Sequence, residues 1–142
     1  MTRQVFFPFL ALLSTVGFLL SLYFALVYHK LIKPDSSVIP QVCRMDESSC
    51  GSLLRTKEAA LFGLPNFYLG LAYYAALLTV PMLSERFFWS LWYNFAGASV
   101  LTVVAGGYLS YALIAKLNVP CVLCFAAHTI NLFIALLMFS AL

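Results

Sequence analysis

Four long stretches without a charged residue decide what this chain can become. They cover residues 5–28, 62–84, 87–115 and 117–142 of a 142-residue sequence. Each reaches the roughly 20 residues a helix needs to cross about 30 Å of hydrocarbon. Lipid offers backbone amides and carbonyls no partner, so such segments satisfy their own hydrogen bonds as helices. The chain is 63% hydrophobic and 9% charged, which leaves too little polar surface for a soluble domain of this size. The first stretch exceeds a signal-peptide core, and no small-x-small cleavage site precedes His29, so it reads as a retained transmembrane helix.

The expected fold is therefore all-α: an integral membrane four-helix bundle, forming one domain over residues 1–142. Its helices fall at about 5–28, 64–84, 87–115 and 119–142, and a long extramembrane loop of residues 29–63 joins the first two. Small residues offer places for close helix packing: Ser14, Gly17 and Ser21 in the first helix, and Ala96, Gly97, Ser99, Ala105, Gly106 and Gly107 in the third. Residues 52–61 fit a short amphipathic helix at the membrane surface. The eight basic residues are dispersed over several loops, which gives nucleic-acid binding no support. Membrane lipid is the expected surrounding partner.

The chain has four cysteines. Cys43 and Cys50 lie in the long loop, and Cys121 and Cys124 open the last apolar stretch. With four crossings, the first and third connections share one side of the membrane, so both pairs face the same compartment. Lys30, Lys33, Arg44, Arg55, Lys57 and Lys116 fall on that side, against Arg3 and Arg86 opposite. The positive-inside rule taken literally puts the cysteines in the cytoplasm. Disulfides persist in oxidising compartments, and this redox argument carries the greater weight: the cysteines are expected on the periplasmic or extracellular side.

Asn118 is placed to cap the last helix and Pro120 suits its first turn, which puts Cys121 at the positive end of the helix dipole. A thiolate is stabilised there, and a thiolate is the species that exchanges with disulfides. Cys124 follows one turn later and His128 four residues beyond, making a stripe on one helix face. Two dithiols in a chain with few charges point to thiol–disulfide exchange. A zinc site would need all four cysteines, and the six residues between Cys43 and Cys50 exceed the usual structural-zinc spacing; no metal is expected. A structural Cys43–Cys50 disulfide is the other plain reading. His128 inside a membrane helix suggests function, with a bond to a neighbouring helix as the alternative.

The order of these motifs resembles the vitamin K epoxide reductase family. The likeness runs from the loop pair (Cys43 to Thr56), through Phe62-Gly63 to Tyr74 with its Pro65-Asn66, to the Cys-x-x-Cys stretch from Cys121 to Asn131. The resemblance implies a two-stage relay. The outer pair takes electrons from a thioredoxin-like protein, Cys43 meeting that partner and Cys50 attacking Cys121. Cys124 then faces a quinone, which is ubiquinone, menaquinone or vitamin K. It also implies that Asn66 bonds one quinone carbonyl. His128 stands where vertebrate members carry a tyrosine contacting the other oxygen, and its imidazole can donate a similar bond. Thr56 stands where the family usually has serine. For Asn66, helix capping after Pro65 weighs equally. Phe62, Phe67, Tyr73 and Tyr74 would help line the pocket, and Tyr74 is included among the substrate-binding candidates.

Many bacterial relatives continue into a fused thioredoxin-like domain. This sequence stops at Leu142, so the resemblance implies a separate redox partner. The vertebrate cap insertion is missing before Asn66, which points to a bacterial-type relay in an inner membrane. The expected function is a membrane thiol:quinone oxidoreductase that supports disulfide formation. The alternatives are vitamin K quinone or epoxide reduction, a non-enzymatic scaffold with structural disulfides, and a metal-binding membrane protein.

Overall fold

The computed structural model describes residues 3–32, 55–61, 63–82, 85–118 and 121–140. Cys43, Cys50, Phe62 and Pro120 lie outside them. Four helices carry the fold: α1 (Arg3–Tyr28), α2 (Asn66–Thr79), α3 (Glu85–Tyr111) and α4 (Val122–Ser140). Between α1 and α2 a 3₁₀ turn, Lys57–Ala59, leads into a small hairpin of β1 (Ala60–Leu61) and β2 (Leu64–Pro65). The strands are antiparallel, with Leu61 opposite Leu64 and Ala60 opposite Pro65.

Three of the described helical segments are long and apolar enough to cross a membrane: Val5–Tyr28, Ser90–Lys116 and Val122–Ser140. The second helix is shorter than the run that contains it. α2 spans 14 residues and passes into a 3₁₀ turn at Val80–Met82. Pro81 has no N–H to continue an α-helical ladder, and the tighter turn adds length, giving roughly 27 Å in all.

α1 packs against both α2 and α4, and α4 packs against α3, whereas α2 and α3 make little backbone contact. Leu12, Leu19, Leu101 and Leu136 are exposed, as side chains facing lipid should be. Two apolar clusters fill the interior. Phe24, Ala25, Val27, Phe67, Leu113, Cys121 and Leu123 form the one next to the cysteine motif. The other gathers Phe6, Leu10, Tyr74, Leu77, Trp92, Ile134 and Met138. In lipid, burial of apolar surface does not drive helices together, so close contact and interhelical hydrogen bonds must. Gly17 provides such contact: a Cβ there would stand 2.4 Å from Cε1 and Cζ of Tyr74. Tyr73 Oη and Ser99 Oγ, 2.8 Å apart, supply a bond between α2 and α3.

Chain reversals account for two differences from expectation. The surface helix over residues 52–61 does not form in its described part. Gly63 takes φ +80°, turning the chain so that residues 60–65 pair as a hairpin instead of continuing helically. Asn118 does not cap α4. A π turn, Ala112–Lys116, ends α3 with Leu117 N–H bonded to Ala112 O at 3.0 Å. Asn118 follows at φ 51°, the left-handed conformation asparagine tolerates better than most residues. At the end of α1, His29 and Tyr68 share a side-chain hydrogen bond. Arg55 lies over the Tyr28 ring, 5.9 Å from its centroid, so both flanks of the segment between α1 and β1 meet at Tyr28.

Candidate active site

Cys121 is the residue immediately before α4, not part of its first turn. Its carbonyl accepts the Phe125 N–H at 3.1 Å, which makes it the capping position, still at the positive end of the helix. Its side chain is fully buried, among Phe24, Phe67 and Leu113. Cys124, one turn on, is half-buried; it packs against the same cluster and also faces a second environment.

That environment is a cavity of about 230 Å³ between the two apolar clusters, bounded by all four helices and by the turn before β1. Most of its wall is hydrocarbon, from residues such as Phe24, Leu69, Leu109 and Leu113. Polar atoms come from few positions: Thr56, Asn66, Tyr74, Cys124, His128 and Asn131 prominent among them. An apolar chamber with a small number of directed polar groups is how proteins hold flat, mostly hydrophobic ligands.

Each group is brought there by a different local rule. Asn66 is the first residue of α2, directly after Pro65, whose φ of −54° starts the helix. Among the described residues the Asn66 side chain caps nothing, and it lines the cavity. Thr56 precedes the 3₁₀ turn and accepts the Ala59 N–H on its carbonyl at 3.2 Å. Cys124, His128 and Asn131 follow one another at helical spacing on α4, so they share a face. Gly106 of α3 makes room for the histidine: a Cβ there would sit 2.8 Å from His128 Nδ1. That nitrogen is buried and has no hydrogen-bond partner among the described residues.

The cavity thus brings together five of the residues singled out from sequence: Thr56, Asn66, Tyr74, Cys124 and His128. Cys121 is buried in the adjoining apolar cluster, against which Cys124 also packs, and Cys43 and Cys50 lie outside the described residues. Phe67 and Tyr73 also line the chamber. Asn131, which the sequence offers only as the end of the Cys-x-x-Cys stretch, lines it too. It accepts a hydrogen bond from Tyr74 Oη, 2.6 Å, on Oδ1. Its signal was present, a carboxamide inside an apolar run, seven residues after Cys124 and on the same face.

The model of the vitamin K epoxide reductase family matches residues 8–139. The chain belongs to that family. Vitamin K epoxide reductases are membrane helical bundles, which is the architecture found here, and the chain is an integral membrane protein. Membership supports an oxidoreductase role of the thiol/quinone type, in a family that acts on quinones or vitamin K epoxide. No curated protein matches the chain significantly.

Proposed function

We propose that the chain is a membrane thiol:quinone oxidoreductase that takes electrons from a separate thioredoxin-like protein and delivers them to a quinone. The observation that carries this reading is the placement of Cys124 in a mostly apolar cavity shared with Asn66 and His128. The partner's dithiol reduces the Cys43–Cys50 disulfide and is itself oxidised. The Cys50 thiolate then attacks Cys121, forming a Cys50–Cys121 disulfide and releasing Cys124 as thiolate. Cys43 resolves that bond, closing Cys43–Cys50 and leaving Cys121 and Cys124 reduced. Their electron pair passes from Cys124 to the quinone as the Cys121–Cys124 disulfide closes. Two protons, equivalent to those of the partner's thiols, complete the hydroquinone. Each exchange is thiolate attack on sulfur, so proximity and thiolate fraction govern its rate. The net outcome is disulfide formation in exported proteins, with the cysteines on the outer face of a bacterial inner membrane.

Purified protein in detergent, given a reduced thioredoxin-like donor, should bleach the absorbance of ubiquinone or menaquinone. Absence of turnover with either, alongside turnover of vitamin K epoxide, would make epoxide reduction the physiological role. Asn66 and His128 hold the two quinone oxygens in this reading. His128→Phe should raise the quinone KM about tenfold, the loss of one hydrogen bond of about 1.4 kcal/mol. Unaltered quinone affinity would remove His128 from the site. A membrane-impermeant thiol reagent should label Cys43 in intact cells, and protection of Cys43 would place the pairs on the cytoplasmic side.

A further inference from the structure

The cavity holds a hydrogen-bonded pair that the relay leaves without a task. The Tyr74 side chain is buried, 2% exposed, with its ring against Gly17 and its hydroxyl donating to Asn131 Oδ1. The bond sets which way the Asn131 carboxamide turns. With Oδ1 held by the tyrosine, the pair of N–H donors on Nδ2 is left for a ligand. Asn131 lines the cavity and is half-buried. One turn toward Cys124 stands His128, whose Nδ1 has no hydrogen-bond partner among the described residues. Side chains three apart on a helix have Cβ atoms roughly 5–6 Å from each other, close enough for both to meet a single acceptor oxygen.

We propose that Asn131 is a substrate-binding residue, donating from Nδ2 to the quinone oxygen that His128 also holds, and that Tyr74 is the positioning residue that keeps the carboxamide turned for it. This rests on the thiol:quinone reading. As a quinone accepts an electron pair, that oxygen gains negative charge. N–H donors already fixed in place stabilise it without reorganising. The tyrosine hydroxyl, spent on Asn131, then does not touch the ligand itself.

The test uses the full chain in detergent with ubiquinone-1 as probe, measuring its equilibrium affinity and the rate at which N-ethylmaleimide alkylates reduced Cys124. Asn131→Ala should weaken ubiquinone-1 binding about tenfold. Tyr74→Phe keeps the ring against Gly17 and should weaken binding about threefold to fivefold by releasing the carboxamide. The double variant should be no worse than Asn131→Ala, because tyrosine acts through asparagine. Alkylation of Cys124 should keep its wild-type rate in all three, which a collapsed cavity would not allow. Wild-type affinity in Asn131→Ala, additive losses in the double variant, or altered alkylation would each overturn the assignment. Should Asn131→Ala fail to fold, Tyr74→Phe at wild-type affinity overturns it alone. Failure of the unmodified chain to bind ubiquinone-1 would bring down the thiol:quinone reading, and with it this one; failure confined to the variants leaves the relay standing.

Discussion

Cys124→Ala is expected to lower quinone reduction by at least about 10³-fold, the usual scale for loss of a covalent reacting group. Because Cys124 lines the cavity and Cys121 does not, no other thiol of the described residues is placed to replace it at the quinone. Cys121→Ala should be equally inactive, since each turnover must close a disulfide between the two. Cys50→Ala should behave differently. It blocks reduction driven by a thioredoxin-like donor, while a small dithiol that enters the cavity attacks Cys124 directly and restores turnover. Donor-driven quinone absorbance, followed with and without dithiothreitol, separates the cases. Turnover retained in all three variants would sink the relay.

Gly17→Ala is the second large effect, and it acts through packing. The new methyl would lie 2.4 Å from Cε1 and Cζ of Tyr74 and 2.8 Å from Cε2, distances that real carbons do not share. The ring cannot swing aside cheaply, because it is buried and its hydroxyl is tied to Asn131. Overpacking of this kind costs about 1–3 kcal/mol, sometimes more. A lower thermal midpoint in detergent is expected, together with weaker quinone binding as Tyr74 and Asn131 shift. Gly97→Ala is the matched control, since no atom of the described residues lies within 4 Å of a Cβ at that position; it should melt no lower than the wild type. Equal midpoints for the two variants would show that Tyr74 does not press on α1.

The helices were legible because lipid permits so few alternatives: a charge-free run of sufficient length has to satisfy its backbone internally. Their ends were less so. At Asn118 a capping residue and a left-handed residue look alike in sequence, and the π turn that precedes it decided between them. Residues 55–61 carry an amphipathic pattern, yet the turn at Gly63 draws residues 60–65 into a hairpin. The gathering of Thr56, Asn66, Cys124 and His128 around one chamber followed the order of motifs and the helical spacing. The Tyr74–Asn131 bond did not, because its partners are 57 residues apart and only the packing of α2 against α1 and of α1 against α4 brings them together. Gly17 and Gly106 read as generic small residues, whereas each is shaped to one particular neighbour, Tyr74 and His128.

The meeting of both loop flanks at Tyr28 bears on how, in the proposed relay, the cysteine pair of the segment between α1 and β1 would find the pair at the start of α4. Cys50 lies six residues before Thr56, a wall residue of the chamber that also contains Cys124. At about 3.5 Å per residue, it can stray no more than roughly 20 Å from that wall. A thiol tethered so closely has an effective concentration on the order of millimolar. In the proposed relay the step from Cys50 to Cys121 is thereby intramolecular, with a rate indifferent to how much protein the membrane holds, while the proposed encounters with a donor protein and a quinone would keep their dependence on supply.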